Sequence, residues 1–207
     1  MDTYIYSIED DSDNVNTLYV NLTNKCSNTC IFCIRSTVDE IKGKKMWLES
    51  EDFTADDVIA QLDKYNKPQE VVFCGYGEPL MKFNLLKEIA TYVKKQNIKT
   101  RINTNGIGNI INKRDVVPEL ANIIDEVSIS LNAPTKKQYN EISKPKYENA
   151  YEAMLDFAEK CVENNIKTTL TVVDEYPTYK LDIQKCKEIA DKIGANFKVR
   201  KWLNNGY

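Results

Sequence analysis

The 207-residue chain is 42% hydrophobic and 29% charged, with a formal net charge of −3. That length and apolar content suit one globular domain with its own core, and the slight negative charge argues against nucleic acid as a partner. The chain has no histidine, which excludes imidazole metal ligands and leaves any proton transfer to Asp, Glu, Lys, Cys or Tyr.

The first residues and the cysteines indicate the compartment. The amino terminus lacks the basic and apolar regions of a secretory leader, and the longest apolar runs fall far short of the roughly 18 residues that span a membrane. Three of the six cysteines lie within eight positions, a spacing more typical of reduced thiols than of disulfides. We therefore expect a cytoplasmic protein with no membrane partner. It should form a single domain over residues 1–207, with residues 1–16 as an N-terminal β extension.

Two β-like runs, at residues 3–10 and 15–23, open the chain on either side of a polar turn. In the second run Leu18, Val20 and Leu22 alternate with polar residues, which predicts a strand with one apolar face. This strand leads into the sequence Cys26-Ser-Asn-Thr-Cys30-Ile-Phe-Cys33. Three thiols are too few for a closed tetrahedral zinc site, and they suit an iron–sulfur cluster with one iron left open.

The segment at residues 34–48 has no periodic pattern and is long for a connection in a compact domain. Two interpretations stay open for it. Either this segment covers the cluster, or it is a solvated basic loop.

Helical and strand patterns alternate through the rest of the chain. Helices are predicted from the Thr54 cap to Tyr65 and at 84–96, 117–124, 148–163 and 181–193, and strands at 70–74, 99–104, 126–132, 167–173 and 197–203. Six strands alternating with helices imply βαβ units and a parallel sheet. Several strands carry polar residues on one face, which favours a curled sheet around a cavity over a flat buried one. The predicted fold class is α/β: a partial (β/α)6 barrel with the helices outside and its site at the carboxyl ends of the strands.

A second motif, Gly75-Tyr-Gly-Glu-Pro79, follows the strand at 70–74. With the three cysteines, Phe32 between them and the (β/α)6 pattern over essentially the whole chain, it resembles the radical SAM superfamily. Narrower fragments, namely Asn-Leu-Thr-Asn-Lys-Cys, Arg-Ile-Asn-Thr-Asn-Gly and Ser-Ile-Ser-Leu-Asn-Ala-Pro, resemble the TatD-associated radical SAM proteins. That group's name implies a genomic association with TatD-type hydrolases and no known reaction.

The resemblance implies both cofactors and the type of reaction. Cys26, Cys30 and Cys33 would hold three irons of a [4Fe–4S] cluster, and the fourth iron would bind S-adenosylmethionine (SAM). The reduced cluster would cleave SAM to a 5′-deoxyadenosyl radical, which abstracts hydrogen from an unidentified substrate, either a small molecule or a peptide or protein. The same resemblance implies that the enzyme is oxygen-sensitive and that it receives electrons from a reductant such as flavodoxin or ferredoxin.

The resemblance also implies SAM contacts at the ends of the strands, and it assigns no catalytic residue. The implied cofactor-binding residues are Phe32 beside the adenine, Gly75, Tyr76 and Gly77 through their backbone, Glu78 at the turn or ribose, and Asn103, Ser130, Asn132 and Arg200. Tyr76 stands where the superfamily usually has glycine, so its ring should point away from SAM or form part of the substrate wall. Arg200 either pairs with the SAM carboxylate or is an ordinary surface residue.

Three cysteines lie outside the motif. Cys161 and Cys186 lie on apolar helix faces and are interpreted as core residues, whereas Cys74 either belongs to the strand core or reaches the cavity.

A glycyl-radical-enzyme activase shares the cysteine motif and is the alternative enzyme. Radical SAM RNA methyl synthases share shorter fragments but require an additional C-terminal cysteine, which this sequence does not show. A non-catalytic iron–sulfur or zinc module, with Cys74 as the fourth ligand, predicts a closed metal site without SAM binding.

Overall fold

The computed structural model describes residues 4–8, 15–41 and 43–202. Their strands, in chain order, are β1 (Ile5–Tyr6), β2 (Thr17–Val20), β3 (Glu40–Ile41), β4 (Lys44–Lys45), β5 (Glu70–Phe73), β6 (Lys99–Thr104), β7 (Glu126–Ser130), β8 (Lys167–Asp174) and β9 (Asn196–Lys201). The α-helices are α1 (Ala55–Leu62), α2 (Phe83–Lys95), α3 (Gly108–Asn112), α4 (Val117–Leu120), α5 (Lys136–Ser143), α6 (Ala150–Glu163) and α7 (Ile183–Ile193).

The main sheet has seven strands in the order β1-β2-β5-β6-β7-β8-β9. Strand β1 pairs antiparallel with β2, and each later neighbour pairs in parallel. Sequential parallel strands joined by helices confirm the predicted curved α/β sheet, and β1 is the described part of the predicted N-terminal β extension. The remainder of that extension, residues 1–3 and 9–14, lies outside the described residues.

One face of the sheet packs against the helices and forms the core. Phe73, Ile102, Ile129 and Leu170, from four neighbouring strands, are fully buried. Helix α6 contributes a fully buried stripe that includes Met154, Phe157 and Cys161, and Cys186 of α7 is buried in the same core. The interpretation of Cys161 and Cys186 as core residues is therefore confirmed.

The opposite face, called here the polar face, carries side chains in register across the strands. Asn103 pairs with Ser128, Ser128 with Thr169, and Thr169 with Asn196. Nearer the amino ends of the strands, Lys99 lies 2.9 Å from a carboxylate oxygen of Glu70 and 2.9 Å from one of Glu126. Arg101 and Lys167 extend these ion pairs across the sheet. Charged pairs therefore line the amino ends, and neutral polar groups line the middle of this face.

Local sequence signals set several boundaries. The Thr54 side chain accepts a hydrogen bond from the backbone of Asp57, whose carboxylate accepts one from the backbone of Thr54, and this capping box begins α1. Gly194 ends α7 with a φ of +81°, a left-handed conformation that glycine adopts without strain. The predicted strand at 99–104 coincides with β6.

Short elements differ from the sequence-based expectation. Helix α3 has five residues and lies where no helix was predicted, and α4 ends at Leu120 instead of reaching residue 124. The segment at 34–48 contains a 3-10 turn at Ile34–Ser36 and the hairpin β3–β4. Such short elements have too few residues to show a periodicity, so tertiary contacts decide them. Leu203, the predicted end of the last strand, lies outside the described residues.

Within the described ranges, the model contains no helix whose length and apolar character would let it cross a membrane.

Candidate functional site

The carboxyl ends of β2, β5, β6 and β7 meet around the cysteine loop, defined here as residues 24–33. The backbone N–H of Glu78, after β5, donates to the carbonyl of Lys25 at 2.8 Å. The Asn105 amide, after β6, lies 3.9 Å from Cys26 Sγ and 2.9 Å from Ser27 Oγ. Asn132, after β7, donates to the hydroxyl of Ser143 at 3.0 Å, and the carbonyl of Ser143 accepts from the backbone of Thr29 in the loop. The sequence motifs are therefore neighbours in space.

The cysteine loop is also held from its other side, by the end of α5 and the residues that follow it. The backbone N–H groups of Thr29 and Ile31 donate to the carbonyls of Ser143 and Ile142, at 3.1 and 2.9 Å. Asn28 forms an isolated antiparallel bridge with Pro145. These bonds fix the backbone on both sides of Cys30.

The three thiols are half-buried, and burial raises the pKa of two of them. Burial is the main reason that the pKa of Cys26 rises to about 11, with the Glu78 carboxylate adding to it. Burial, followed by the neighbouring Cys33 and Cys26, raises the pKa of Cys30 to about 12. Iron binds thiolates, so ligation at this loop would release protons.

The donor set of the cysteine loop fits a cluster. Among the described residues, no group of three or more His, Cys, Asp or Glu side chains is arranged to hold a single metal ion. Three cysteine thiols lie on this one short loop, and the Asn105 amide lies beside the first of them. Each thiolate can bind a different iron of the cluster that the sequence predicts.

Glycines 75 and 77 allow the turn after β5 to pack against the cysteine loop. A Cβ on Gly77 would lie 2.2 Å from the carbonyl oxygen of Thr23 and 2.5 Å from that of Lys25. A Cβ on Gly75 would lie 2.1 Å from Asn21 Oδ1. The absence of side chains here is thus required by the protein's own packing, in addition to any approach of SAM.

Glu78 joins the turn after β5 to the turn after β6. It is buried, and its carboxylate accepts from the Thr104 hydroxyl at 2.7 Å, the Asn105 backbone at 2.7 Å and the Leu80 backbone at 3.1 Å. Burial raises the pKa of Glu78 to about 7, although these three hydrogen bonds act in the opposite direction. Because Asn105 also contacts Cys26 and Ser27, Glu78 positions a neighbour of the cysteine loop. Glu78 therefore holds the turn in place.

Tyr76 directs its ring away from the cysteines into a second, smaller core. Its ring packs against Tyr6, Ile41 and Met46. Its hydroxyl donates to the carbonyl of Val38, and the Trp47 ring lies edge-on to it, with ring centroids 5.0 Å apart. The segment at 34–48 is therefore packed through its β3–β4 hairpin instead of being fully solvated. Leu48 also exchanges two hydrogen bonds with the Asn24 side chain, at 2.8 and 3.0 Å.

Phe32 belongs to an aromatic cluster beside the cysteine loop. Its ring lies edge-on to Tyr176 and Tyr179, with centroids 6.4 and 6.3 Å apart. Tyr176 stacks on Tyr179, meets Trp202 edge-on, and donates its hydroxyl to the Ile31 carbonyl at 2.8 Å. This contact brings the end of β8 to the same site.

The other predicted cofactor residues have different surroundings. Asn132 is buried with a φ of +60°, and its Oδ1 has no hydrogen-bond partner among the described residues. Ser130 and Asn103 are half-buried on the polar face, and the Arg101 guanidinium donates to Asn103 Oδ1 at 3.4 Å. Arg200 is exposed on the edge strand β9. Asn132 therefore has a free acceptor beside the cysteine loop, whereas Arg200 lies at the open edge of the sheet.

Sequence reasoning missed several residues that support the loop. Ser143 and Tyr176 have no motif around them, and Asn105 was noted only within the fragment Arg-Ile-Asn-Thr-Asn-Gly. Arg35 was noted only as part of a loop, yet its guanidinium donates to the carbonyls of Asn24 and Tyr76, at 3.3 and 3.2 Å. Polar residues directly after a strand were a usable signal for Asn105, whereas the sequence gives none for Ser143.

Comparison with known proteins gives a family match and two curated relatives. The protein-family model described as the radical SAM superfamily matches residues 20–198 of this chain. The uncharacterized protein MJ0907 of Methanocaldococcus jannaschii is 28% identical over 149 residues, which are 70% of this chain and 46% of that protein. The 7-carboxy-7-deazaguanine synthase of the same organism is 25% identical over 160 residues, 72% of this chain and 61% of that enzyme. The chain thus spans about half to three fifths of the length of these curated relatives.

A solved structure shares the fold. SuiB of Streptococcus suis, bound to its precursor peptide SuiA, aligns with a TM-score of 0.68 and 18% identity over 92% of this chain and 40% of its own. SuiB bound to S-adenosylmethionine aligns with a TM-score of 0.66 and 18% identity over 94% of this chain and 41% of its own. At this identity the likeness supports the architecture alone.

Proposed function

Because this chain belongs to the radical SAM superfamily, we propose that it is a radical SAM enzyme that holds a [4Fe–4S] cluster at Cys26, Cys30 and Cys33. The observation that carries the proposal is the meeting of this three-cysteine loop with the Gly-Glu-Pro turn and the ends of β6 and β7. When bound, cluster and SAM together supply a 5′-deoxyadenosyl radical that abstracts hydrogen from a substrate.

The chain's own residues bind and orient the cofactors in this proposal. The backbone of Gly75, Tyr76 and Gly77 accepts from the SAM ammonium, and Phe32 packs beside the adenine. Asn132 offers its free Oδ1 to a donor on the cofactor, and Ser130 lies two residues before it on the same edge. Glu78 keeps the turn in place, Asn103 lies deeper on the polar face, and Arg200 approaches the cofactor carboxylate from β9.

We place the substrate against the polar face, beyond the cofactor. That face presents neutral polar groups between the ion pairs at the amino ends and the cysteine loop at the carboxyl ends. The peptide bound by SuiB supports testing peptides first, with small molecules as the other class. A flavodoxin or ferredoxin is the proposed cytoplasmic reductant. The fragments around Cys26, Asn103 and Asn132 support membership of the TatD-associated group.

The test is anaerobic reconstitution followed by dithionite and SAM. The loaded protein is expected to contain about four irons per chain and to form 5′-deoxyadenosine. Intact SAM beside a well-reduced cluster would count against the enzyme. Tightly bound zinc in place of iron would support the closed metal module with Cys74 as a ligand.

A matched pair of variants tests the ligand assignment. Cys30→Ala removes a proposed ligand, so we expect its iron content to fall to background. Cys186→Ala removes a buried thiol from the helical core, so it should retain the iron of the unmodified protein. Equal iron content in the two variants would contradict the assignment, and circular dichroism confirms that both are folded.

A further inference from the structure

The Arg35 side chain lies between the two motifs of the site. Its Nη1 donates to the Asn24 carbonyl at 3.3 Å, at the start of the cysteine loop, and to the Tyr76 carbonyl at 3.2 Å, in the turn after β5. We propose that the remaining edge of this guanidinium, formed by Nε and Nη2, binds the carboxylate of SAM. The inference rests on the proposed function, because it needs SAM at this site.

The hydrogen bonds of Arg35 occupy only one end of its guanidinium. Nη1 carries two hydrogens, so each of the two carbonyls can take one of them. Nε and Nη2 have no hydrogen-bond partner among the described residues. The N–H groups of Nε and Nη2 on that edge are parallel, and their spacing matches the two oxygens of a carboxylate. The side chain is therefore held at Nη1 and open at the edge that forms a bidentate pair.

The charge of Arg35 has no carboxylate partner in the part of the chain that the structure describes. Arg101 and Arg114, in contrast, each form an ion pair with a glutamate. Arg200 also lacks such a pair, but it is exposed, so water solvates its charge. Arg35 is half-buried, and a charge that is partly removed from water is unfavourable unless an anion pairs with it. An anionic ligand would supply that partner.

The position of Arg35 favours the SAM carboxylate as this anion. In the proposed function, the backbone of Gly75, Tyr76 and Gly77 accepts from the SAM ammonium. The ammonium and the carboxylate of SAM are bonded to the same carbon atom, so the carboxylate lies near the same turn. Arg35 contacts that turn directly, whereas Arg200 lies on the edge strand β9. We therefore expect Arg35 to be the principal partner of the carboxylate.

Equilibrium binding to the reconstituted protein, with SAM and with decarboxylated SAM as the two ligands, tests this inference. Decarboxylated SAM keeps the ammonium and lacks the carboxylate. Arg35→Ala is expected to bind SAM at least about tenfold more weakly and to bind decarboxylated SAM as the unmodified protein does. Arg35→Lys keeps the charge without the planar fork, so it should recover only part of the loss. Arg114→Ala removes an exposed, paired arginine and should change neither affinity.

An equal loss of affinity for both ligands in Arg35→Ala would overturn this inference alone, because Arg35 would then act only through the two carbonyls that it holds. An unchanged affinity for SAM would overturn it as well. Iron content is measured in each variant, and if Arg35→Ala does not load, Arg35→Lys decides: a loss confined to SAM supports the proposal, and any other result overturns it. An unmodified protein that assembles no cluster overturns the proposed function and this inference together.

Discussion

Glu78 shows how a single side chain connects a family motif to the packing of the site. Its carboxylate is buried and receives three hydrogen bonds, from the hydroxyl of Thr104 and the backbones of Asn105 and Leu80. Those donors lie in two turns that both touch the cysteine loop. At the residue scale, the acid of the Gly-Glu-Pro motif is thus a structural link between loops.

The raised pKa of Glu78 predicts how stability depends on pH. Because burial raises this pKa from 4.5 to about 7, the folded state binds a proton more tightly than the unfolded state. The stabilisation is complete below pH 4.5 and is lost as the pH rises through 7. We expect the free energy of unfolding to fall by about 2–3 kcal/mol between pH 5 and pH 8.

Denaturant titrations at the two pH values measure this change. Glu78→Gln cannot ionise, so its free energy of unfolding should be the same at both, whatever its absolute stability. The chain has no histidine, so no imidazole titration overlaps this window. A pH dependence that persists in Glu78→Gln would show that another group is responsible.

The element that most changes the sequence-based interpretation is the β3–β4 hairpin. Tyr76 anchors it through a buried ring and a bond to the Val38 carbonyl, and Asn21 adds a hydrogen bond to the carbonyl of Met46 at 2.7 Å. Residues of this segment thereby pack on the ends of β2 and β5. The exposed Trp47 lies against Tyr76 at the solvent side of this contact.

Removing the anchor should loosen the hairpin selectively. Tyr76→Ala deletes the ring that fills the smaller core, so amide exchange at residues 38–48 is expected to rise at least tenfold while the core strands stay protected. Hydrogen–deuterium exchange measures both regions. Tyr92→Ala removes another half-buried tyrosine ring, on α2, whose hydroxyl donates to Asp63. It is the matched control, and equal exchange at 38–48 in the two variants would exclude an anchoring role for Tyr76.

At the scale of the whole molecule, the sheet brings distant parts of the chain to one loop. The cysteine loop contacts residues that follow β5, β6 and β8, and it contacts helix α5. For example, the Asn28 side chain of the loop donates to the hydroxyl of Tyr139 in α5, 111 residues further along the chain. Each contact exists only in the folded chain. A group bound at the loop therefore gains its full set of supporting contacts only in the folded protein.

Cluster loading should accordingly stabilise the entire domain. A ligand that prefers the folded state raises the unfolding temperature, and we expect an increase of several degrees on anaerobic reconstitution. Thermal unfolding followed by circular dichroism, with and without the cluster, measures it. Cys30→Ala treated in the same way should not change, and an equal rise in that variant would attribute the effect to the reconstitution reagents.

The sequence by itself determined the class of fold and predicted three cysteine ligands for a cluster. The signals that allowed this are short-range patterns, each formed by residues close together in the chain. They are the alternation in strands such as Lys99–Thr104, the Thr54 cap and the Cys26–Cys33 spacing. The order of these patterns along the chain was enough to predict a parallel curved sheet and to bring the strand-end motifs to one edge.

Only the tertiary structure decided what surrounds those ligands. The ring of Tyr76 lies in a hairpin core, Glu78 links two turns, and the end of α5 holds the backbone on both sides of Cys30. All three depend on packing between segments far apart in the chain. A side chain's partner across such a distance is set by the summed geometry of several elements. No local spacing encodes that geometry, which explains why the cysteines were predictable and their hydrogen-bond donors were not.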